Sequence, residues 1–217
     1  MTSGGAPVLR FSAVVLAAGV SARMQGRHKL LLPVGNETVI RRTVRGVLDT
    51  GPQEVVVVTG CQGSAVSEAL AGLPVQLQAN PRFEDGQMTS MTAGVAALTR
   101  ATDAVMVCLG DMVLLTVADY RELLDAFVRL DRQSIVVPHY LGQRGNPVVF
   151  AQWHIPEVIA GRRNLGCRKL IFDYPEEVFS YESRHDRYVA DMDTPQDYAR
   201  VLECLDCAVG SMAVHTA

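Results

Sequence analysis

The segment Val14–Pro33, VVLAAGVSARMQGRHKLLLP, decides how the chain is read. It passes from an apolar run through small residues into Arg23, Arg27, His28 and Lys29, and becomes apolar again at Leu30. Two structures fit such a run. One is the hydrophobic region of a secretory signal, since Arg10 precedes the run and Val20-Ser21-Ala22 is a passable small-residue cleavage site. The other is a buried β-strand that delivers the chain into a loop gripping an anion. The strand is preferred: MTSGGAPVLR offers a signal only one side-chain cation, and cleavage would remove the first strand of a regular alternation.

That alternation extends outward from the segment. Runs rich in Val, Ile and Leu at Ala13–Leu16, Glu54–Thr59, Val75–Gln78, Ala104–Leu109 and Ser134–Pro138 predict strands, with amphipathic helical stretches between most of them. Thr38–Leu48 sets Val39, Ile40, Val44, Val47 and Leu48 along one side. Thr116–Leu130 opens with Thr116 and Asp119 in capping-box spacing and turns Leu123, Leu124, Phe127 and Leu130 inward. Strands alternating with helices imply right-handed crossovers and a mostly parallel α/β sheet covered on both faces, with ligands at the carboxyl ends of the strands. After Pro138 the pattern changes. HYLGQRGNPVVFA reads as strand, Gly-rich turn and returning strand, an antiparallel excursion. A helix near Gly166–Phe172, a strand at Glu176–Tyr181 and a helix from Pro195 to about Cys207 complete the expectation, the last marked by Thr194, Pro195 and Asp197.

With 217 residues the chain suits one core, and a single domain over 1–217 is expected, with 1–10 and 209–217 as flexible ends. Hydrophobic residues make up 48%, charged residues 20% and the net charge is −3, which argues against disorder and against a broadly basic nucleic-acid surface. Any phosphate site must therefore be local. No apolar run reaches the roughly 18 residues of a membrane span. The five cysteines, Cys61, Cys108, Cys167, Cys204 and Cys207, are odd in number and irregularly spaced, so reduced thiols and a cytoplasmic location are expected. Cys204 and Cys207, a lone C-x-x-C, are expected to be small buried helix residues.

Several residues carry chemistry. Ala17, Ala18 and Gly19 let the backbone approach a ligand, and loop N–H groups can face an anion. Arg23, Arg27, His28 and Lys29 then form either a phosphate cradle or a solvated basic loop; neither G-x-G-x-x-G nor a P-loop is present. Asp111, after an apolar strand in CLGDM, is either a Mg2+ ligand or a turn residue. Asp191 and Asp193 in ADMDTP alternate along an expected strand and so face opposite ways, one of them at most reaching a metal. NPRFEDGQMTSM is a polar loop entering a helix, in which Asn80 and Ser90 are either ligand contacts or a loop anchor and helix cap.

LAAGVSARMQGRHKLLLP resembles the L-A-A-G-x-S-x-R-M-G-x-x-K signature of the nucleotidyltransferases that act on molybdopterin, most of all the molybdenum cofactor cytidylyltransferases. The likeness continues in order through NPRFEDGQMTSM, LGDM, GQRGNPVVF and DMDTPQDY. It implies a Rossmann-like three-layer sandwich of the nucleotide-diphospho-sugar transferase type, and Mg2+-dependent transfer of CMP from CTP to a phosphorylated acceptor, molybdopterin or molybdenum cofactor, with pyrophosphate released. By the same resemblance Leu16, Ala17, Ala18 and Gly19 border the nucleotide and Arg23 and Lys29 hold its phosphates. Asp111 and Asp193 hold the metal, Asn80 and Ser90 lie near base and ribose, and an apo-molybdoenzyme is a candidate partner. The family's A-A-G, present as Ala17-Ala18-Gly19, goes with cytidylyl rather than guanylyl transfer. Three departures stand out: Gln25 adds a residue between Arg23 and Lys29, Val113 replaces a Pro, and Asn146 stands where His is usual. A guanylyltransferase, a sugar or polyol phosphate cytidylyltransferase, and a non-catalytic nucleotide-holding chaperone are the competing readings. His139, His154 and His185 are given no catalytic role.

Overall fold

The structure, a computed structural model, describes residues 9–130, 134–161 and 175–213, with side chains as far as 207. The helix expected near Gly166–Phe172 lies outside the described residues. Strand β1 (Phe11–Ala17) is the centre of the sheet. Its neighbours β6 (Ala104–Leu109) and β4 (Val55–Thr59) both run parallel to it, and β5 (Gln76–Ala79) extends the β4 side, also parallel. All seven residues of β1 are apolar or small, as a strand covered on two faces requires. The predicted antiparallel excursion is present: β7 (Ile135–Tyr140) turns into β8 (Gln143–Arg144), and β9 (Val148–Ala151) inserts antiparallel between β7 and β6. Strand β10 (Val178–Glu182) closes the edge parallel to β7, giving the order β10-β7-β9-β6-β1-β4-β5. A small antiparallel pair, β2 (Pro33–Val34) with β3 (Glu37–Thr38), stands apart.

Two hydrophobic clusters flank the sheet, and the period of two along each strand decides which residues enter which. Ala13, Val15, Val55, Val57, Met106 and Cys108 face α1 (Val39–Leu48), α2 (Gly63–Ala69), α4 (Val117–Val128) and α6 (Pro195–Ala213). Val14, Val56, Val58, Val105 and Val107 face α3 (Gln87–Ala96) and α5 (Ile155–Ile159). The result is the three-layer α/β arrangement that the alternation predicts. Thr38 caps α1, accepting from Arg41 N at 3.4 Å, and Val39, Ile40, Val44 and Val47 are buried as their spacing requires. The Thr116–Asp119 capping box on α4 is complete in both directions.

Three expectations need correction. The segment carrying Asp191 and Asp193 is not a strand; it is an irregular approach to α6. Helix α6 does not stop near Cys207 but continues to Ala213, into the stretch expected to be a flexible end. Cys204 and Cys207 are exposed, because the buried stripe of α6 passes instead through Val201, with Leu202 and Leu205 packed against the core.

Helix α3 lies close on the sheet through Gly94. A Cβ there would come within 2.4 Å of Val14 Cγ1 and 2.7 Å of Val58 Cγ2, in the middle of β1 and β4. Gly94→Ala gains helix propensity of about 1 kcal/mol but forces α3 off the sheet, an overpacking cost of about 1–3 kcal/mol. We expect a net loss of stability in urea titration, whereas Ala96→Gly, lacking the clash, should cost only the propensity term.

Candidate functional site

Strand β1 opens onto the site at its carboxyl end. Leu16, Ala18 and Gly19 line a cavity of about 250 Å3, together with Lys29, Ser90 and Asp111. The loops meet there because glycines remove side chains from the closest approaches. Gly110 N donates to Leu16 O at 2.9 Å, and a Cβ on Gly110 would lie 2.9 Å from Ile40 Cδ1 and 3.1 Å from Leu16 O. A Cβ on Gly60 would lie 2.7 Å from Phe83 Cγ and 2.8 Å from Ala18 Cβ. Ala17 is fully buried and does not reach the cavity.

The loop after Gly19 is built on Met24, which is 1% exposed and inserted into the core. Met24 N donates to Ser21 O at 3.0 Å and Arg27 N to Met24 O at 3.1 Å, so two tight turns share this residue. The second carries positive φ at Gln25 (53°) and Gly26 (81°), so the residue extra to the signature lies within a tight turn. Ser21 Oγ then accepts from Lys29 N at 3.1 Å, and the 3-10 turn Lys29–Leu31 sinks Leu30 into the core. Lys29 thus projects from an anchored backbone. Ser21 and Met24 fall on matched positions of the signature, which gives them no role; the structure makes both structural.

The site's charges form a chain. Lys29 Nζ bonds Asp111 Oδ2 and, at 2.8 Å, Asp193 Oδ1, while the other oxygen of Asp193 accepts from Arg23 Nη2. Burial works against the Lys29 ammonium, but Asp111 first and Asp193 next outweigh it, so its pKa is raised and the charge is held. Asp191 also faces this group. Desolvation raises its pKa, followed by repulsion from Asp111 and Asp193, and it makes no hydrogen bond through its side chain among the described residues. The position of Asp193 is set by the α6 cap: Asp197 Oδ2 accepts from Asp193 N at 3.2 Å and Thr194 N at 2.9 Å.

The structure brings Arg23, Lys29, Asp111 and Asp193 together as ion-pair partners of one another. It separates two members of the predicted cationic group. His28 is buried and its pKa is lowered, chiefly by desolvation, so it adds no charge; Arg27 is exposed and makes no ion pair among the described residues. Asn80 lies behind the cavity rather than in its lining, with Nδ2 donating to Thr89 Oγ1 and Ser90 Oγ at 2.9 Å each and Oδ1 accepting from Arg82 N at 3.0 Å. Asn80 thus anchors its loop, while Ser90, whose Oγ accepts from it, lines the cavity. Phe83 and Gln87 also line the cavity and carry no sequence motif that singles them out.

Lys29→Ala removes the cation that two carboxylates hold, whereas Arg27→Ala removes a surface charge without an ion-pair partner among the described residues. We expect Lys29→Ala to weaken nucleoside triphosphate binding about tenfold or more, in line with the loss of charge-assisted hydrogen bonds. Arg27→Ala should stay within about twofold. Calorimetric titration of the two variants checks the ordering.

The model of the MobA-like NTP transferase domain matches residues 13–178. The purine catabolism protein PucB of Bacillus subtilis is 28% identical over 197 residues, covering 87% of this chain and 94% of its own. Nicotine blue oxidoreductase of Paenarthrobacter nicotinovorans is 27% identical over 202 residues, covering 87% and 95%. Among solved structures, a nucleotidyl transferase from Methanothermobacter superposes with a TM-score of 0.77 at 25% identity, over 89% of this chain and 96% of that one. With the family model spanning β1 to the start of β10, and with the signature loop, Asp111 and the sheet order in place, the chain belongs to the MobA-like NTP transferase domain family.

Proposed function

We propose that this nucleotidyltransferase moves CMP from CTP to the terminal phosphate of a phosphorylated acceptor, molybdopterin or molybdenum cofactor, with release of pyrophosphate. The observation that carries the reading is the Arg23–Asp193–Lys29–Asp111 chain at the mouth of the β1 cavity. Such a chain is poised for partner exchange. Each cation is neutralised by a carboxylate; an arriving triphosphate offers Lys29 and Arg23 stronger partners and leaves the carboxylates in need of a cation.

The donor set fits a divalent ion. Three carboxylates, Asp111, Asp191 and Asp193, face two cations, so negative charge is in excess, and hard oxygen donors suit Mg2+. Asp111 and Asp193 would hold the ion. Bound there, it would neutralise triphosphate charge in the transition state. The remaining work falls to the chain itself. Lys29, fixed by its buried turn, and Arg23, reaching from the exposed side, stabilise the charge that develops on the leaving pyrophosphate. A phosphate monoester with a second pKa of about 6 is already mostly ionised at neutral pH, so the attack needs no general base. The cavity lining accords with this, since its described residues include no histidine beside a nucleophile. A hydride-transfer reading, which the name of one relative invites, leaves the carboxylate–ammonium chain without a task.

Asp111→Asn keeps the shape and removes the charge. Turnover, followed as pyrophosphate release from CTP with Mg2+ and molybdopterin, should fall about a hundredfold or more. A folded variant with unchanged release would remove Asp111 from the mechanism.

Base preference is expected to rest on Ala18, which lines the cavity and whose methyl sits against the space above Gly60. One methyl discriminates by about 1–3 kcal/mol, or roughly 10- to 200-fold. CTP should therefore exceed GTP in kcat/KM within that range, and Ala18→Gly should narrow the gap. Equal use of the two nucleotides by the unmodified protein would leave nucleotidyl transfer standing and overturn the cytidylyl assignment.

A further inference from the structure

A second cavity, of about 590 Å3, opens on the α1/α4/α6 face, and nothing in the proposed reaction uses it. It is more than twice the volume of the β1 cavity at about 250 Å3 and within the usual range for small-molecule sites. Its walls carry four guanidinium groups from three parts of the chain: Arg42 and Arg45 on α1, Arg187 in the 3-10 turn Asp186–Tyr188, and Arg200 on α6.

The four are unequal in a way that resembles a built site. Arg187 is locked by Asp119, which is 1% exposed and accepts from it at 2.9 and 2.6 Å; Arg45 is held by Glu37 at 2.9 Å. Those planes are pre-oriented, and little further conformational entropy is lost when they bind. Arg42 makes no ion pair or side-chain hydrogen bond among the described residues. Arg200 makes no ion pair or side-chain hydrogen bond among the described residues either, although Asp197 and Asp186 lie near it. These two are available for an incoming anion.

The rest of the lining narrows the class. Val113 and Leu115 are buried and form an apolar floor that backs onto the core, suited to the face of a ring. Glu37, Asp49 and Asp186 also line the cavity, and their carboxylates would repel a bare polyanion but accept hydrogen bonds from hydroxyl groups. Guanidinium forks bind phosphate oxygens in pairs. We propose that this cavity is a second ligand site, taking a phosphorylated and hydroxylated small molecule of the sugar phosphate class.

Its place gives it influence on the reaction centre. Val113 lies two residues after Asp111, and Arg187 lies in the turn that leads to Asp191 and Asp193. Arg200 and Asp186 line both this cavity and the cleft beside Asp193. A ligand held here touches the chain next to each of the carboxylates that grip Lys29.

The test uses the full chain, with ribose 5-phosphate and inorganic phosphate as probes in calorimetric titration, and compares the unmodified protein with Arg42→Ala/Arg200→Ala. Ribose 5-phosphate should bind the unmodified protein and lose about tenfold or more in the double variant, while an unchanged thermal unfolding profile reports that the variant is folded. Inorganic phosphate should bind more weakly than the sugar phosphate. Failure of ribose 5-phosphate to bind, or binding indifferent to the double substitution, overturns the site; equal affinity for the two probes overturns the sugar assignment. Neither outcome bears on CMP transfer, which is read by pyrophosphate release.

Discussion

A single ammonium group, Lys29 Nζ, joins parts of the chain that are 82 and 164 residues apart, by binding Asp111 and Asp193 at once. Much of the local architecture serves to place these three groups. Lys29 is fixed by Ser21 and by the burial of Leu30; Asp111 comes directly after Gly110, whose missing side chain lets β6 end against β1; Asp193 is held through its own backbone by the α6 cap. Partial burial strengthens the attraction and makes an unpaired member costly. The chain of charges is therefore a constraint on three loops.

The same device appears twice at helix starts. Thr116 with Asp119 and Thr194 with Asp197 each satisfy the first turn of a long helix, and in each case the acid does further work. Asp197 reaches back to Asp193 N, which couples the start of α6 to the Lys29 ion-pair cluster. Asp119 holds Arg187 and lies 3.0 Å from His185, which couples α4 to the segment leading into that cluster. Burial pushes the Asp119 carboxyl up, yet the Arg187 and Thr116 hydrogen bonds outweigh it and hold the group below the ordinary range. Its contribution is thus present above the normal carboxylate pKa and is lost as pH falls through the depressed one. Arg187 also lines the arginine-rich cavity, so the contact with Asp119 fixes part of that wall.

The period of two in β1, β4 and β6, the apolar stripes of α1 and α4, the capping signals at Thr116 and Thr194, and the Gly-rich turn before β9 are all legible in the amino-acid sequence, because each depends on neighbours within a few positions. Lys29, Asp111 and Asp193 are candidates there too, through the family resemblance of the motifs that carry them. These features determine the three-layer α/β arrangement and the end of the sheet at which ligands enter.

Only the tertiary structure decided how the charged groups are used. Four basic residues in seven look alike as sequence, yet His28 is buried and uncharged, Arg27 is solvated, and Arg23 and Lys29 alone among the four meet carboxylates within the described residues. The reason is that Met24 enters the core and fixes the rotation of the loop, a choice made by packing across the sheet and not by local pattern. Asp191 and Asp193 likewise lose the strand alternation that would have faced them apart, because the chain there is shaped by the Asp197 cap. The second arginine cluster could not be read at all, since Arg42, Arg187 and Arg200 are brought to one cavity by the packing of α1, α4 and α6, and no short-range rule links them.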